Sequence, residues 1–334
     1  MKIGNYSCDI SLILDEVKKH VYKTVLLQAP EGIKKHVFQV VDEIETKTKA
    51  KVMVSSDPCY GACDVPLHAA KTLGVDLVVQ LGHLPVPNLK LPLPVLFVNL
   101  LADAREEESV KQAIKKLEGT KIGLVTTAQH IHKLSKVKEV LKNNGFTPVV
   151  GKGDNRVARS GQVLGCNMST VQSISDKVDC FLFLGTGRFH PLGVALTTDK
   201  PVVSANPFTL EVLKNEIKEE KEKLLKKRYS LIAAAGDAET FGILVSVKPG
   251  QMRMKTARTL GKKLLDAGKK VHILIVDDIH PLLPENFDFN CFVSTACPRV
   301  ALDETERFKK PLLTPPEVDI LLRDTKEYKL DTIQ

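Results

Sequence analysis

Lys121-Ile122-Gly123-Leu124-Val125-Thr126-Thr127-Ala128-Gln129-His130 reads as a short apolar strand running into a turn. Behind it, Leu134–Asn143 carries apolar residues at helical spacing and ends at Asn144-Gly145, a C-cap signal. The same strand, turn and helix occur twice more. Lys23–Ala29 precedes Val37, Val40, Val41 and Ile44, and Gly242–Val247 precedes a helix predicted over Met254–Ala267, which Gly268 closes. Further strands are expected at Lys51–Ser55, Asp76–Gln80, Val95–Asn99, Phe146–Val150, Cys180–Leu184, Pro201–Ala205, Val271–Val276, Cys291–Ser294 and Pro311–Leu313. Each block has a late strand ending in small residues: Leu81-Gly82-His83, Leu184-Gly185-Thr186-Gly187 and Ser294-Thr295-Ala296-Cys297. The period, about 100 to 120 residues, is far longer than a solenoid repeat. The pattern predicts an α/β fold of three similar α/β domains, each a small parallel sheet with flanking helices, arranged around a central site. Domain bounds are expected at 1–104, 105–208 and 209–334. The third opens with a Lys- and Glu-dense linking helix over Leu210–Arg228, expected to be solvated.

A chain of 334 residues with 43% hydrophobic and 26% charged residues is ordinary for a globular protein and excludes wholesale disorder. No apolar run approaches the roughly 20 residues of a membrane span. Met1-Lys2-Ile3-Gly4-Asn5 lacks an apolar core, and Asp9, Asp15 and Glu16 follow, so no signal peptide and a cytoplasmic location are expected. The net charge of +8 favours an acidic partner, although lysine-rich helix faces give the same sum.

Seven cysteines in a chain expected to face a reducing compartment argue for metal ligands or reactive thiols over disulfides. Cys180 and Cys291 begin apolar strands and read as core thiols. Cys63, Cys166 and Cys297 each stand at or near a strand-end loop, 103 (166 − 63) and 131 (297 − 166) residues apart. Three thiolates facing one point suit either a catalytic zinc or a 4Fe–4S cluster with one iron left open. The local Cys-x3-Cys-x2-Cys pattern of common radical S-adenosylmethionine enzymes is half present: Cys59 and Cys63 fit, but Pro66 takes the third place. Unrelated free thiols would satisfy the spacing as well.

Five stretches together resemble a known family: Tyr60-Gly61-Ala62-Cys63-Asp64, Thr126–His132, Gly161–Cys166, Phe189–Gly193 and Ala296-Cys297-Pro298-Arg299-Val300. In order and over roughly Val25 to Leu321, they are similar to the archaeal 2-(3-amino-3-carboxypropyl)histidine synthases, which act first in diphthamide biosynthesis. The resemblance implies a homodimer of three-domain subunits, with Cys63, Cys166 and Cys297 ligating a 4Fe–4S cluster whose fourth iron binds S-adenosylmethionine. Cys59 has no counterpart in the family motif, which makes Cys63 the expected ligand. The implied reaction reduces the sulfonium by one electron and breaks its bond to the methionine Cγ. Methylthioadenosine is released, and the 3-amino-3-carboxypropyl radical adds to a histidine of translation elongation factor 2. An electron donor is implied, and neither a membrane nor a nucleic acid is expected as a partner.

Strand-end loops also put forward Pro30, Glu31, Gly82, His83, Gln129, Gly185, Gly187, His190 and Arg299 as cofactor-contacting candidates. Glycines there permit close backbone approach, and an arginine matches a carboxylate bidentately. His130 is a further hydrogen-bonding candidate, and Asp303-Glu304 either shape the site or begin a helix. Two alternatives compete with the transferase. One is a three-cysteine Lewis-acid enzyme of the quinolinate synthase type; the other is a cluster-bearing sensor or basic RNA-binding module, disfavoured because no nucleic-acid motif stands out.

Overall fold

The computed structural model describes all of residues Met1–Gln334 and contains four sheets. Three of them are built to one plan. In the first, strands Lys51–Val54, Thr24–Gln28, Leu77–Leu81 and Val95–Val98 lie side by side in that order, all parallel. The second runs Thr147–Val149, Lys121–Thr126, Cys180–Leu184 and Val202–Ala205, also parallel, and adds the antiparallel pair Val212–Leu213. The third runs Lys270–Val276, Thr240–Ser246, Cys291–Ser294 and Leu312–Leu313. Each therefore has the spatial order second, first, third, fourth. The chain reverses direction across the sheet between its first and third strands, which is where open parallel sheets bind ligands.

Two side-chain devices recur with the topology. The residue before each third strand reaches back to the start of the first. Asp76 Oδ2 accepts hydrogen bonds from the amides of Lys23 and Thr24 at 2.8 and 2.9 Å. Asp179 Oδ2 does the same for Thr120 and Lys121 at 2.9 and 2.8 Å. Asn290 Oδ1 does so for Glu239 and Thr240 at 3.2 and 3.1 Å. The second device concerns packing across the switch point. In the second and third sheets a glycine of the first strand pairs with a phenylalanine of the third, Gly123 with Phe181 and Gly242 with Phe292. A Cβ at either glycine would lie 2.6 or 2.8 Å from the ring, so the ring occupies the place of a side chain. The first sheet pairs Leu26 with Val78 at this register instead.

Alternate residues of these strands enter cores on opposite faces, as strands buried on both sides must. Val25, Leu27, Leu77 and Val79 pack on one side of the first sheet, and Leu26 and Val78 on the other. The fourth sheet, an antiparallel trio of Lys2–Ile3, Tyr6–Cys8 and Leu100–Ala102, has no counterpart in the sequence expectations.

The linking helix runs Asn215–Ala234, displaced from the expected span, and is not uniformly solvated. Ile217 enters the core of the second sheet and Ile232 that of the third. Arg228 is fully buried, and its guanidinium forks onto Glu317 at 2.7 and 2.5 Å while also donating to the carbonyls of Ala301 and Leu312. A run of lysines and glutamates does not reveal which member turns inward; the carboxylate that neutralises this one comes from a distant helix. After the last helix, Pro315–Leu321, the chain returns to the second sheet, where Leu330 packs against its core. No helix is long and apolar enough to cross a membrane.

Candidate metal centre

The carboxyl ends of the three parallel sheets face one cavity of about 290 Å³. Cys63, Cys166 and Cys297 all line it. They are close enough to sense one another: the Cys63 thiol feels Cys166, and the Cys297 thiol feels both. Burial, reinforced by Cys166 and Asp64, pushes the Cys63 thiol up to about 12, and burial pushes Cys297 up as well. The Cys63 and Cys297 thiols therefore keep their protons, and a metal that binds them must displace those protons.

The loops that carry the cysteines are not equivalent. Cys63 and Cys166 both lie between the second and third strands of their sheets, whereas Cys297 follows a third strand. The clamp residues give the true repeat: 103 residues from Asp76 to Asp179 (179 − 76) and 111 from Asp179 to Asn290 (290 − 179). The first cysteine interval matches the repeat, and the second exceeds it by 20 (131 − 111) because the third cysteine sits one strand later. Asp277, Asp278 and Ile279 line the cavity where a strict repeat would have placed that cysteine loop.

Each cysteine is held by other parts of the fold. Around Cys63, the buried Gln28 donates to the carbonyl of Asp64 at 2.7 Å, and Gln80 donates to that of Gly61 at 3.1 Å. Gln251, after the first strand of the third sheet, donates to the Cys63 sulfur at 3.7 Å and accepts from the Cys297 amide at 3.2 Å. Its neighbour Gly250 donates to the Cys63 carbonyl at 3.1 Å, and a Cβ there would lie 2.3 Å from that of Cys63. Only glycine lets the two loops meet this closely.

The C-terminal tail grips the other two cysteines. Ile333 donates from its amide to the Cys166 carbonyl at 2.8 Å, and its own carbonyl accepts from Asn167 at 2.9 Å. Asp331 forms a bidentate pair with Arg253 at 2.9 and 2.6 Å. Arg253 in turn donates to the carbonyls of Thr295 and Ala296, immediately before Cys297.

Of the other candidates from sequence, His83, Gln129, His190 and Arg299 line the cavity. Burial pulls both imidazoles down to about 4, so both are neutral at pH 7, and the His83 Nδ1 has no partner. The Gln129 amide is spent on the Gly82 carbonyl at 2.8 Å, which ties the first sheet to the second. Arg299 stacks on Phe189 with its guanidinium 4.0 Å from the ring centre and donates to Asp303 at 2.8 Å. Pro30, Glu31, Gly82, Gly185 and Gly187 are not part of the lining. Glu31 pairs with Lys34 at the surface, and Lys34 holds the carbonyls of Ser56 and Asp57, so this turn supports the loop before Cys59. His130 is buried elsewhere against Glu106 at 3.0 Å. Cys59 is buried outside the lining, and its thiol is pushed up to about 12 by burial and by Asp64. Gln251, Gly250, Arg253 and Arg156 escaped the sequence reading, although Pro249-Gly250 echoes Pro30-Glu31-Gly32 after a first strand.

No three His, Cys, Asp or Glu side chains converge tightly enough to ligate one ion. A zinc ion draws its sulfurs to about 2.3 Å from a single centre. Thiols spread around a cavity whose lining also includes His83 and Arg156, with His83 Nδ1 and Arg156 Nε buried and unpartnered, fit a polynuclear iron–sulfur group better.

Comparison with known proteins places the chain in a family. A family described as putative diphthamide synthesis protein matches residues 29–333. The chain belongs to the diphthamide synthesis family. It is 40% identical to the 2-(3-amino-3-carboxypropyl)histidine synthase of Pyrococcus horikoshii, over 97% of this chain and 92% of that protein. It is 31% identical to subunit 1 of the Mus musculus 2-(3-amino-3-carboxypropyl)histidine synthase, over 96% of this chain and 73% of that one. Among solved structures, it superposes on Dph2 from Pyrococcus horikoshii with a 4Fe–4S cluster at a TM-score of 0.90 and 38% identity, covering 98% of this chain and 94% of that one.

Proposed function

We propose that this chain transfers the 3-amino-3-carboxypropyl group of S-adenosylmethionine to a histidine of translation elongation factor 2, using a 4Fe–4S cluster held by Cys63, Cys166 and Cys297. The observation that carries the reading is the meeting of three cysteines from three separate sheets in one cavity. Family membership and the cluster named for the Pyrococcus horikoshii structure support it. When bound through three thiolates, such a cluster has one iron free of protein ligands and supplies the electron that cleaves the sulfonium at the methionine Cγ. The products would be methylthioadenosine and an aminocarboxypropyl radical that adds to an imidazole carbon; the adduct would then return one electron to the oxidised cluster and release one proton, which restores the aromatic ring and leaves the transfer redox-neutral overall.

The residues of this chain have positional work. Gln251 ties Cys63 to the Cys297 loop, and the tail ties Cys166 to it, so the three ligands form one rigid unit. Neutral His83 and His190 offer hydrogen bonds without adding positive charge beside a sulfonium. Apolar lining residues, among them Val86, Val163 and Leu164, limit water in the cavity and so strengthen the polar contacts made there. The proposed enzyme is a cytoplasmic homodimer fed by an external one-electron donor.

The test is anaerobic reconstitution with iron and sulfide, reduction by dithionite, and incubation with carboxyl-labelled S-adenosylmethionine and elongation factor 2. Methylthioadenosine and labelled factor in equal amounts are expected. A loaded, reducible cluster that forms neither product contradicts the proposal and leaves the Lewis-acid alternative.

A further inference from the structure

Three cations of this protein are buried: Arg156, Arg228 and Lys248. Two have carboxylate partners. Arg228 is paired with Glu317, and Lys248 with Asp64 at 3.0 Å and Asp278 at 2.8 Å. Arg156 is 4% exposed and has no carboxylate partner. Its Nη2 donates to the Gly250 carbonyl at 2.7 Å, and its Nε has no partner at all. A guanidinium cannot shed its charge, and a buried charge without a counter-ion is strongly disfavoured. The missing anion must therefore be something the fold receives.

Arg156 lines the cysteine cavity, and it is the cation whose charge reaches the Cys63 thiol. Its backbone is fixed as well. The Arg156 amide donates to Asp154 Oδ1 at 2.9 Å, and Asp154 Oδ2 accepts from Asn167, beside Cys166, at 2.8 Å. The cation is thus held between the Cys63 and Cys166 loops. Arg299, the other arginine in the lining, already has Asp303 and needs no second anion.

We propose that Arg156 is the fixed counter-cation of the thiolate-ligated cluster on its Cys63 side, and that it makes the cluster easier to reduce. This rests on the cluster reading given above. A cluster bound by three thiolates becomes more negative on accepting an electron, and a buried positive charge favours that state.

The test compares the wild type with Arg156→Gln, which keeps an N–H for the Gly250 carbonyl but loses the charge, and with Arg156→Lys, which keeps the charge. Each is reconstituted anaerobically and titrated with dithionite by electron paramagnetic resonance, without substrate. At the wild-type midpoint, Arg156→Gln is expected to show at least a tenfold lower ratio of reduced to oxidised cluster, a shift of about 59 mV for one electron. Arg156→Lys is expected to stay within threefold of the wild type. Failure of Arg156→Gln to retain iron while Arg156→Lys retains it also supports the proposal. Equal midpoints in all three overturn it. So does an unchanged midpoint with weakened S-adenosylmethionine binding, which would assign the cation to the methionine carboxylate. If the wild type itself takes up no cluster, the parent reading fails, and that failure is visible before any variant is made.

Discussion

Asp331 lies three residues from the C-terminus, yet the structure makes it a support of the cysteine cavity. Its pair with Arg253 is bidentate, and the two side chains are only 4% and 12% exposed. Asp331→Asn keeps the shape and removes the charge, leaving the partly buried Arg253 without its counter-ion. One-sided removal of a buried ion pair costs about 3 to 5 kcal/mol. The cost falls on docking of the tail, because Arg253 keeps its bonds to Thr295 and Ala296. At about 1.4 kcal/mol per factor of ten, docking weakens by at least two orders of magnitude. The direct readout is hydrogen exchange at the Ile333 amide, which is bonded to the Cys166 carbonyl. Exchange there is expected to speed up about a hundredfold, with faster cluster loss, while the Thr24–Gln28 strand keeps its protection. Unchanged protection at Ile333 would refute the view that this pair holds the tail.

Two further perturbations address the cavity. Gly250→Ala puts a methyl group where Cys63 stands, and overpacking of this kind costs about 1 to 3 kcal/mol, so iron uptake should fall. Gly261→Ala, in the helix Met254–Asp266 with its nearest neighbour 3.7 Å away, should instead stabilise by a few tenths to about 1 kcal/mol in urea unfolding. The two imidazoles give a pH dependence. With folded values of about 4 against 6.5 unfolded, the unfolded chain binds more protons between those values. Stability present above pH 6.5 is therefore lost as pH falls toward 4, by about 3 kcal/mol per histidine. Replacing His190 by glutamine should roughly halve the loss in the cluster-free chain; an unaltered pH profile would contradict this.

The sequence exposes the three-fold repeat because its signals are local: an apolar strand, a turn and an amphipathic helix recur, and helix Leu134–Asn143 ends where its Asn-Gly predicts. The cysteines could be proposed from their loops. Their grip could not, because Gln251, Arg253 and Asp331 act on partners far along the chain, and nothing at their own positions announces it. The small antiparallel sheet was hidden for a similar reason, its strands being two or three residues long and too short to show a period. The glycines at 185 and 187 looked like ligand contacts but serve the turn itself, with φ of +156° and +72°. Buried charge was the least legible feature, since Arg228 and Arg156 differ only in whether the fold supplies a carboxylate.

Cys63, Cys166 and Cys297 are proposed to act together on one cluster. Iron and sulfide content, with the visible and paramagnetic spectra of anaerobically reconstituted protein, tests it when each of these and Cys59 is changed singly to alanine. A 4Fe–4S signature is expected in the wild type and in Cys59→Ala, and its loss or conversion in each of the other three. A wild-type spectrum from Cys63→Ala, Cys166→Ala or Cys297→Ala, or its loss from Cys59→Ala alone, would contradict it.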